Sequence, residues 1–177
     1  MDFYKFVKLE ESTLLDLYKS TVDAFPRTEK RQHSIDTIKI IEMNFTPFLG
    51  MRTLLVRGLA KNIDNQREYS TLVLFKGVKY RDDESSRTVR LRADGRTYLL
   101  ESVSQSKNEV LLRCGCPDFY WRFNHYDHED GSLYGRKRRK YESKGTGAKA
   151  NPNEAQGMCK HLMKTVKALY DSKIMEG

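Results

Sequence analysis

The chain has 177 residues, of which 38% are apolar and 32% charged, and carries a net charge of +8. That length suits one domain of ordinary size or a domain with a small appendage, and the polarity implies a modest core. Ten Tyr and eight Phe exclude wholesale disorder, and no apolar run reaches the ~20 residues of a bilayer span.

The N-terminus, Met1-Asp2-Phe3-Tyr4-Lys5-Phe6, lacks the apolar stretch of a signal peptide. The expected setting is therefore a reducing one, the cytoplasm or a virion assembled there, where thiols bind metal rather than pair. Residues 1–11 read as a lead-in, an edge strand or an arm. Thr13 and Asp16 have the spacing of a capping box, and Leu14, Leu17, Tyr18, Thr21, Val22 and Phe25 recur at helical spacing until Pro26. This predicts a helix over 13–25 whose apolar stripe packs on the body of the protein. Residues 27–34 are polar and basic, a loop in which His33 is expected to face solvent.

From 35 to 80 the pattern becomes that of strands. Ile35, Ile38, Ile40 and Ile41 open a first strand, broken by a turn over 44–50. Residues 53–58 form a second strand, 61–67 a loop, and 69–75 a third strand apolar enough for burial on both faces. The charged stretch 81–86 is the best internal boundary, giving a helix and β-rich region over 1–86 and a second region over 87–177. In the latter, 88–92 and 97–103 are strands joined by Asp94-Gly95, a strong hairpin signal. After a turn over 104–108, a third strand over 109–113 runs into Cys114, so a three-stranded meander is expected. Met158, Leu162, Val166, Leu169 and Tyr170 predict a final helix over 155–172. The fold class is thus α+β.

All three cysteines and one histidine fall in two short brackets, Cys114-x-Cys116 and Cys159-x-His161. Three thiols and an imidazole are the donor set of a closed, tetrahedral structural zinc site. On a regular helix residues two apart diverge by about 200°, so the second bracket must straddle a helix start. The plain alternative is three idle thiols and a surface histidine. His125 or His128 could also replace His161 as the fourth ligand.

The order Cys-x-Cys…Cys-x-His, carried by Arg113-Cys114-Gly115-Cys116-Pro117-Asp118-Phe119-Tyr120, Asn151-Pro152 and Gly157-Met158-Cys159-Lys160-His161-Leu162, resembles the SWIM-type zinc finger. The resemblance covers about the last third of the chain. It implies a small ββα-like module of the kind found in DNA-, RNA- and protein-interaction proteins. The 42 residues between the brackets exceed the usual gap of that family, so 117–156 is read as an elaborated insert. Expanded versions of this order, with Pro-Asp-Phe-Tyr after the second cysteine, resemble those of bacteriophage proteins.

Within the insert, residues 131–150 hold Arg136, Lys137, Arg138, Arg139, Lys140, Lys144 and Lys149 against Glu142 alone, a net +6. Tyr134 and Tyr141 flank the cluster. Cations bind phosphate and aromatics stack on bases, so these residues are the candidate contacts for nucleic acid, DNA above all, or for neighbouring subunits. Phe119 to Phe123 are expected to cover the zinc as a small core. His125, Asp127, His128 and Asp130 could form a second metal site or supply a general base, but read more simply as a solvated loop. No phosphate loop, nucleophile elbow or His-Glu-x-x-His is present, so no enzyme activity and no small-molecule substrate are expected. The leading expectation is a zinc-binding module whose insert contacts nucleic acid or an acidic assembly surface. The alternative is a structural subunit of a larger particle such as a phage virion.

Overall fold

The first helix, α1 (Leu14–Ala24), starts where its cap dictates. Asp16 Oδ2 accepts the Thr13 N–H at 3.0 Å and Thr13 Oγ1 accepts the Asp16 N–H at 3.3 Å, the reciprocal pair of a capping box. These details come from a computed structural model that describes residues 11–26, 34–142, 144–145 and 149–177. The lead-in over 1–10 and the loop over 27–33, with His33, lie outside the described residues. Leu14, Leu17 and Thr21 are buried, whereas Tyr18 of the predicted stripe is 48% exposed. No helix among the described residues is long and apolar enough to cross a membrane.

Strands β1 (Ile38–Phe48), β2 (Thr53–Asn62) and β3 (Glu68–Phe75) form consecutive antiparallel hairpins. The break predicted at 44–50 does not occur: β1 runs through Pro47 and reverses only over 49–52. Pro47 is accommodated because β1 is the edge of its sheet, where a missing N–H need not cost a ladder bond. The first strand also starts later than predicted, because Ile35–Thr37 is a single 3-10 turn. β2 continues four residues beyond Gly58, taking Lys61 and Asn62 out of the expected loop. In β3, Thr71, Val73 and Phe75 are buried but Leu72 and Leu74 only half so, which corrects the expected two-sided burial.

Next come β4 (Tyr80–Arg81), β5 (Thr88–Ala93) and β6 (Arg96–Glu101), a sheet ordered β4-β6-β5. Asp94 and Gly95 have φ of 52° and 70° and close the β5–β6 hairpin in two residues, as their sequence predicts. The predicted meander is not formed. After the two-residue β7 (Val103–Ser104), β8 (Val110–Cys114) turns away from this hairpin and pairs with β3, Phe75 opposite Val110 and Thr71 opposite Cys114. Asn108 redirects the chain. Its Oδ1 accepts the Ser104 N–H at 2.7 Å and its Nδ2 donates to the Lys76 carbonyl at 2.8 Å, which draws the turn to the end of β3. The larger sheet is therefore β1-β2-β3-β8.

Two short helices follow, α2 (Pro117–Arg122) and α3 (Asn124–Asp130), and then the segment over 132–134. It continues the larger sheet through a parallel bridge between Leu133 and Leu112. The final helix, α4 (Lys160–Asp171), begins five residues later than predicted, with Met158 buried ahead of it and Tyr170 exposed. It lies across the larger sheet at Gly58. A Cβ there would stand 2.5 Å from Thr71 Oγ1 and 3.3 Å from Thr165 Oγ1, and those two hydroxyls bond each other at 2.8 Å. β9 (Met175–Glu176), absent from the sequence reading, pairs in parallel with β7. One core cluster draws Leu14 and Leu17 from α1, Val56 and Val73 from the sheet, Phe119 from α2 and Leu162 from α4. It includes all three cysteines.

Candidate metal centre

Cys114 is the last residue of β8, held opposite Thr71 by the ladder. The next N–H, of Gly115, donates to the Ser70 carbonyl at 3.0 Å, which keeps the chain against β3 for one more residue. Cys116 then caps α2. Pro117 takes the first helical position, where no N–H is needed, and Cys116 Sγ accepts the Phe119 N–H at 3.3 Å. The two thiols thus stand on a rigid strand-to-helix corner.

Cys159 is the N-cap residue of α4 and His161 is the second residue of that helix. The second bracket straddles the helix start, as its two-residue spacing requires. Cys114, Cys116, Cys159 and His161 bring one donor atom each to within 4.8 Å of one another, and all four residues are buried. Tetrahedral zinc, with bonds of ~2.0–2.3 Å, spaces its donors by roughly 3.5–3.8 Å. The tetrad is therefore positioned to bind a metal ion, with no protein ligand missing from a closed four-coordinate shell.

The imidazole is oriented from behind. Asn62 Oδ1 lies 2.7 Å from His161 Nε2, and Cys159 Sγ lies 3.9 Å from His161 Nδ1. An amide oxygen can only accept, so Nε2 carries the proton and Nδ1 faces the sulfurs with its lone pair. The Tyr69 ring packs against the imidazole with centroids 4.9 Å apart. Asn62 is the residue that sequence reasoning missed. Its neighbours in the sequence read as a loop, and only the full length of β2 puts it beneath the imidazole.

The thiols polarise one another. Burial pushes the Cys114 and Cys159 thiols up, whereas hydrogen bonds from Cys114 and Cys159 hold the Cys116 thiol well below the ordinary range. A divalent cation would displace the thiol protons as it bound.

The backbone leading into Cys159 is clamped from two sides. Asp127 Oδ1, on α3, accepts the Gly157 N–H at 2.7 Å, and Thr21 Oγ1, on α1, accepts the Met158 N–H at 3.0 Å. Gly157 is squeezed between them: a Cβ there would stand 2.2 Å from Thr21 Oγ1 and 2.8 Å from Phe123. Asp127 is fully buried, and burial pushes its carboxyl well above the usual carboxylate range, against the opposing Gly157 hydrogen bond.

His125 and His128 stand apart from the tetrad. Asp127 turns inward while His128 faces solvent, and His125 packs edge-on against Tyr126. These residues do not converge with Asp130 as a metal cluster, and neither histidine enters the cysteine site. Of the aromatics expected to cover the centre, Phe119 and Phe123 are fully buried, but Trp121 is 51% exposed and Tyr120 also reaches solvent. Trp121 instead stacks on Tyr141, with centroids 5.6 Å apart at 29°.

The basic run Arg136–Lys140 is exposed along its whole length, yet its backbone is fastened. The Tyr134 N–H donates to the Leu112 carbonyl at 2.9 Å. Arg113 Nη1 donates to the Tyr134 and Arg136 carbonyls at 3.1 and 2.7 Å. The Arg138 N–H donates to Asn124 Oδ1 at 2.7 Å, and Lys140 Nζ lies over the Tyr126 ring, 5.8 Å from its centroid. Lys137 and Arg139 fall between these anchors.

Comparison of the chain with family models, with curated proteins and with solved structures finds no match.

Proposed function

We propose that the chain is a non-enzymatic zinc-binding module, of SWIM-like ligand order, whose insert presents cations to the phosphates of a nucleic acid. Zinc is the metal that a tetrahedral, thiolate-rich, redox-silent site with no open position suits best. In this reading the ion holds two brackets together across the insert and takes no part in turnover. The observation that carries the nucleic-acid reading is the strap over Arg136–Lys140, with every side chain in solvent and the backbone tied down at Arg136 and Arg138. A cationic loop that merely aids solubility needs no such fastening. Fixing the backbone lowers the entropy lost when the side chains engage a charged partner.

The test is a salt series on zinc-loaded protein with single-stranded and duplex DNA, beside a variant in which Arg136, Lys137, Arg138, Arg139 and Lys140 are all Gln. Binding should fall steeply with salt, and the variant should lose most of it, its log–log salt slope shrinking by about 0.7–0.9 per phosphate contact removed. Failure of both proteins to bind at low salt would overturn the reading and assign the strap to protein neighbours, as in an assembly subunit. Metal analysis of the purified chain tests the zinc separately, with one ion per chain expected.

A further inference from the structure

Beside the C-terminal end of the strap lies a cleft of about 250 Å³ that the metal centre does not use. One wall is the stacked pair Trp121 and Tyr141, 51% and 46% exposed, which makes a flat aromatic platform open to solvent. Lys140 and Tyr126 line the cleft as well, so the strap leads directly into it. The wall behind is stiff. Asn151 spends its whole amide on the backbone, donating to the Arg122 and Ala155 carbonyls at 2.8 and 2.7 Å and accepting the Ala155 N–H at 3.1 Å.

The charge around the cleft is mixed, unlike that of the strap. Lys140 and Lys149 stand there with Glu142 and Glu154. Two carboxylates repel a phosphate but accept hydrogen bonds from the ring N–H and exocyclic amino groups of a base. The cleft thus suits the uncharged, planar part of a nucleotide, while the strap suits the charged part. The cleft admits a base that has left its stack, whereas a base held in a duplex is covered on both faces by its neighbours and cannot lie on the platform.

Resting on the nucleic-acid reading above, we infer that this cleft takes an unpaired nucleobase on the Trp121–Tyr141 platform, so the module prefers single strands to duplex. A base stacked on an exposed aromatic gains affinity largely without regard to its identity.

Trp121 is the single tryptophan of the chain, so emission excited at the red edge, where the ten tyrosines do not absorb, reports on this cleft alone. Zinc-loaded protein is titrated with a short fluorescein-labelled single strand of mixed sequence and with the matching duplex. Anisotropy of the label gives binding, and an unlabelled set gives Trp121 emission. The single strand should quench Trp121 and bind at least about tenfold tighter than the duplex, which should leave emission unchanged. Trp121→Ala should weaken single-strand binding by between about 5- and 150-fold. It should leave duplex binding and zinc content as they were, and Trp121→Phe should restore most of the loss. Single-strand binding with unchanged emission and an indifferent Trp121→Ala overturns the base site while leaving the strap intact. No anisotropy change with either nucleic acid at low salt overturns both readings together.

Discussion

The metal centre and the cationic strap are built on opposite plans. At the centre the side chains are sealed in the core: Cys114, Cys116, Cys159 and His161 are all buried, and their approach is set by hydrogen bonds accepted by Asn62, Thr21 and Asp127. Along the strap the backbone is fixed and the side chains are released into water. Within one modest core the donor set of a metal site is buried side chain by side chain, while a nearby segment is fastened through its backbone and leaves its cations exposed.

If the division is real, disturbing the two regions should have energetic consequences of different size. The largest effect is expected from Cys114→Ser combined with Cys159→Ser. Structural zinc in small modules is worth on the order of 10 kcal/mol, and the cysteines belong to the same core cluster as Leu14 and Leu162. Far-UV dichroism should show loss of helix and sheet, and wild-type melting behaviour in the double variant without metal would sink the claim. Next comes Gly157→Ala, whose Cβ would meet Thr21 Oγ1 and Phe123. Overpacking of this kind costs about 1–3 kcal/mol, readable as a lower denaturant midpoint at constant slope. Asn62→Ala should leave the fold in place but lower metal affinity about 10- to 100-fold, measured by competition with a chelator; an unchanged affinity would mean that the imidazole is held by its helix alone. Smallest of all, the five-Gln strap variant should shift stability by less than about 0.5 kcal/mol, although it is expected to lose nucleic-acid binding.

The sequence was informative where a few neighbouring residues decide the outcome. Thr13 with Asp16, Asp94 with Gly95, and the two brackets each carry their geometry within four residues, and each appears as expected. It was silent where the deciding partner is distant. Nothing near Asn62 announces His161, 99 positions away. The apolar pattern of Val110, Leu112 and Cys114 fits an edge beside β6 or beside β3 equally well, and distant bonds, those of Asn108 to Ser104 and Lys76 among them, choose between the two. Trp121 sits in an apolar run, Phe119 to Phe123, that reads as core. The short α2 turns Phe119 and its C-cap Phe123 inward and this ring outward, a distinction that composition cannot make.

The wide separation of the two brackets also sets a clock on biosynthesis. Cys114 and Cys116 leave the ribosome at least 42 residues before Cys159 and His161, which at 5–20 residues per second is roughly 2–8 s. For that interval the nascent chain carries a half-built chelate, two thiols with neither of their later partners, and α1 waits with Thr21 Oγ1 for the Met158 N–H it will accept. On the zinc reading, translation rate and the supply of exchangeable metal act on this protein at the same moment: the point at which its last helix emerges and the tetrad first exists.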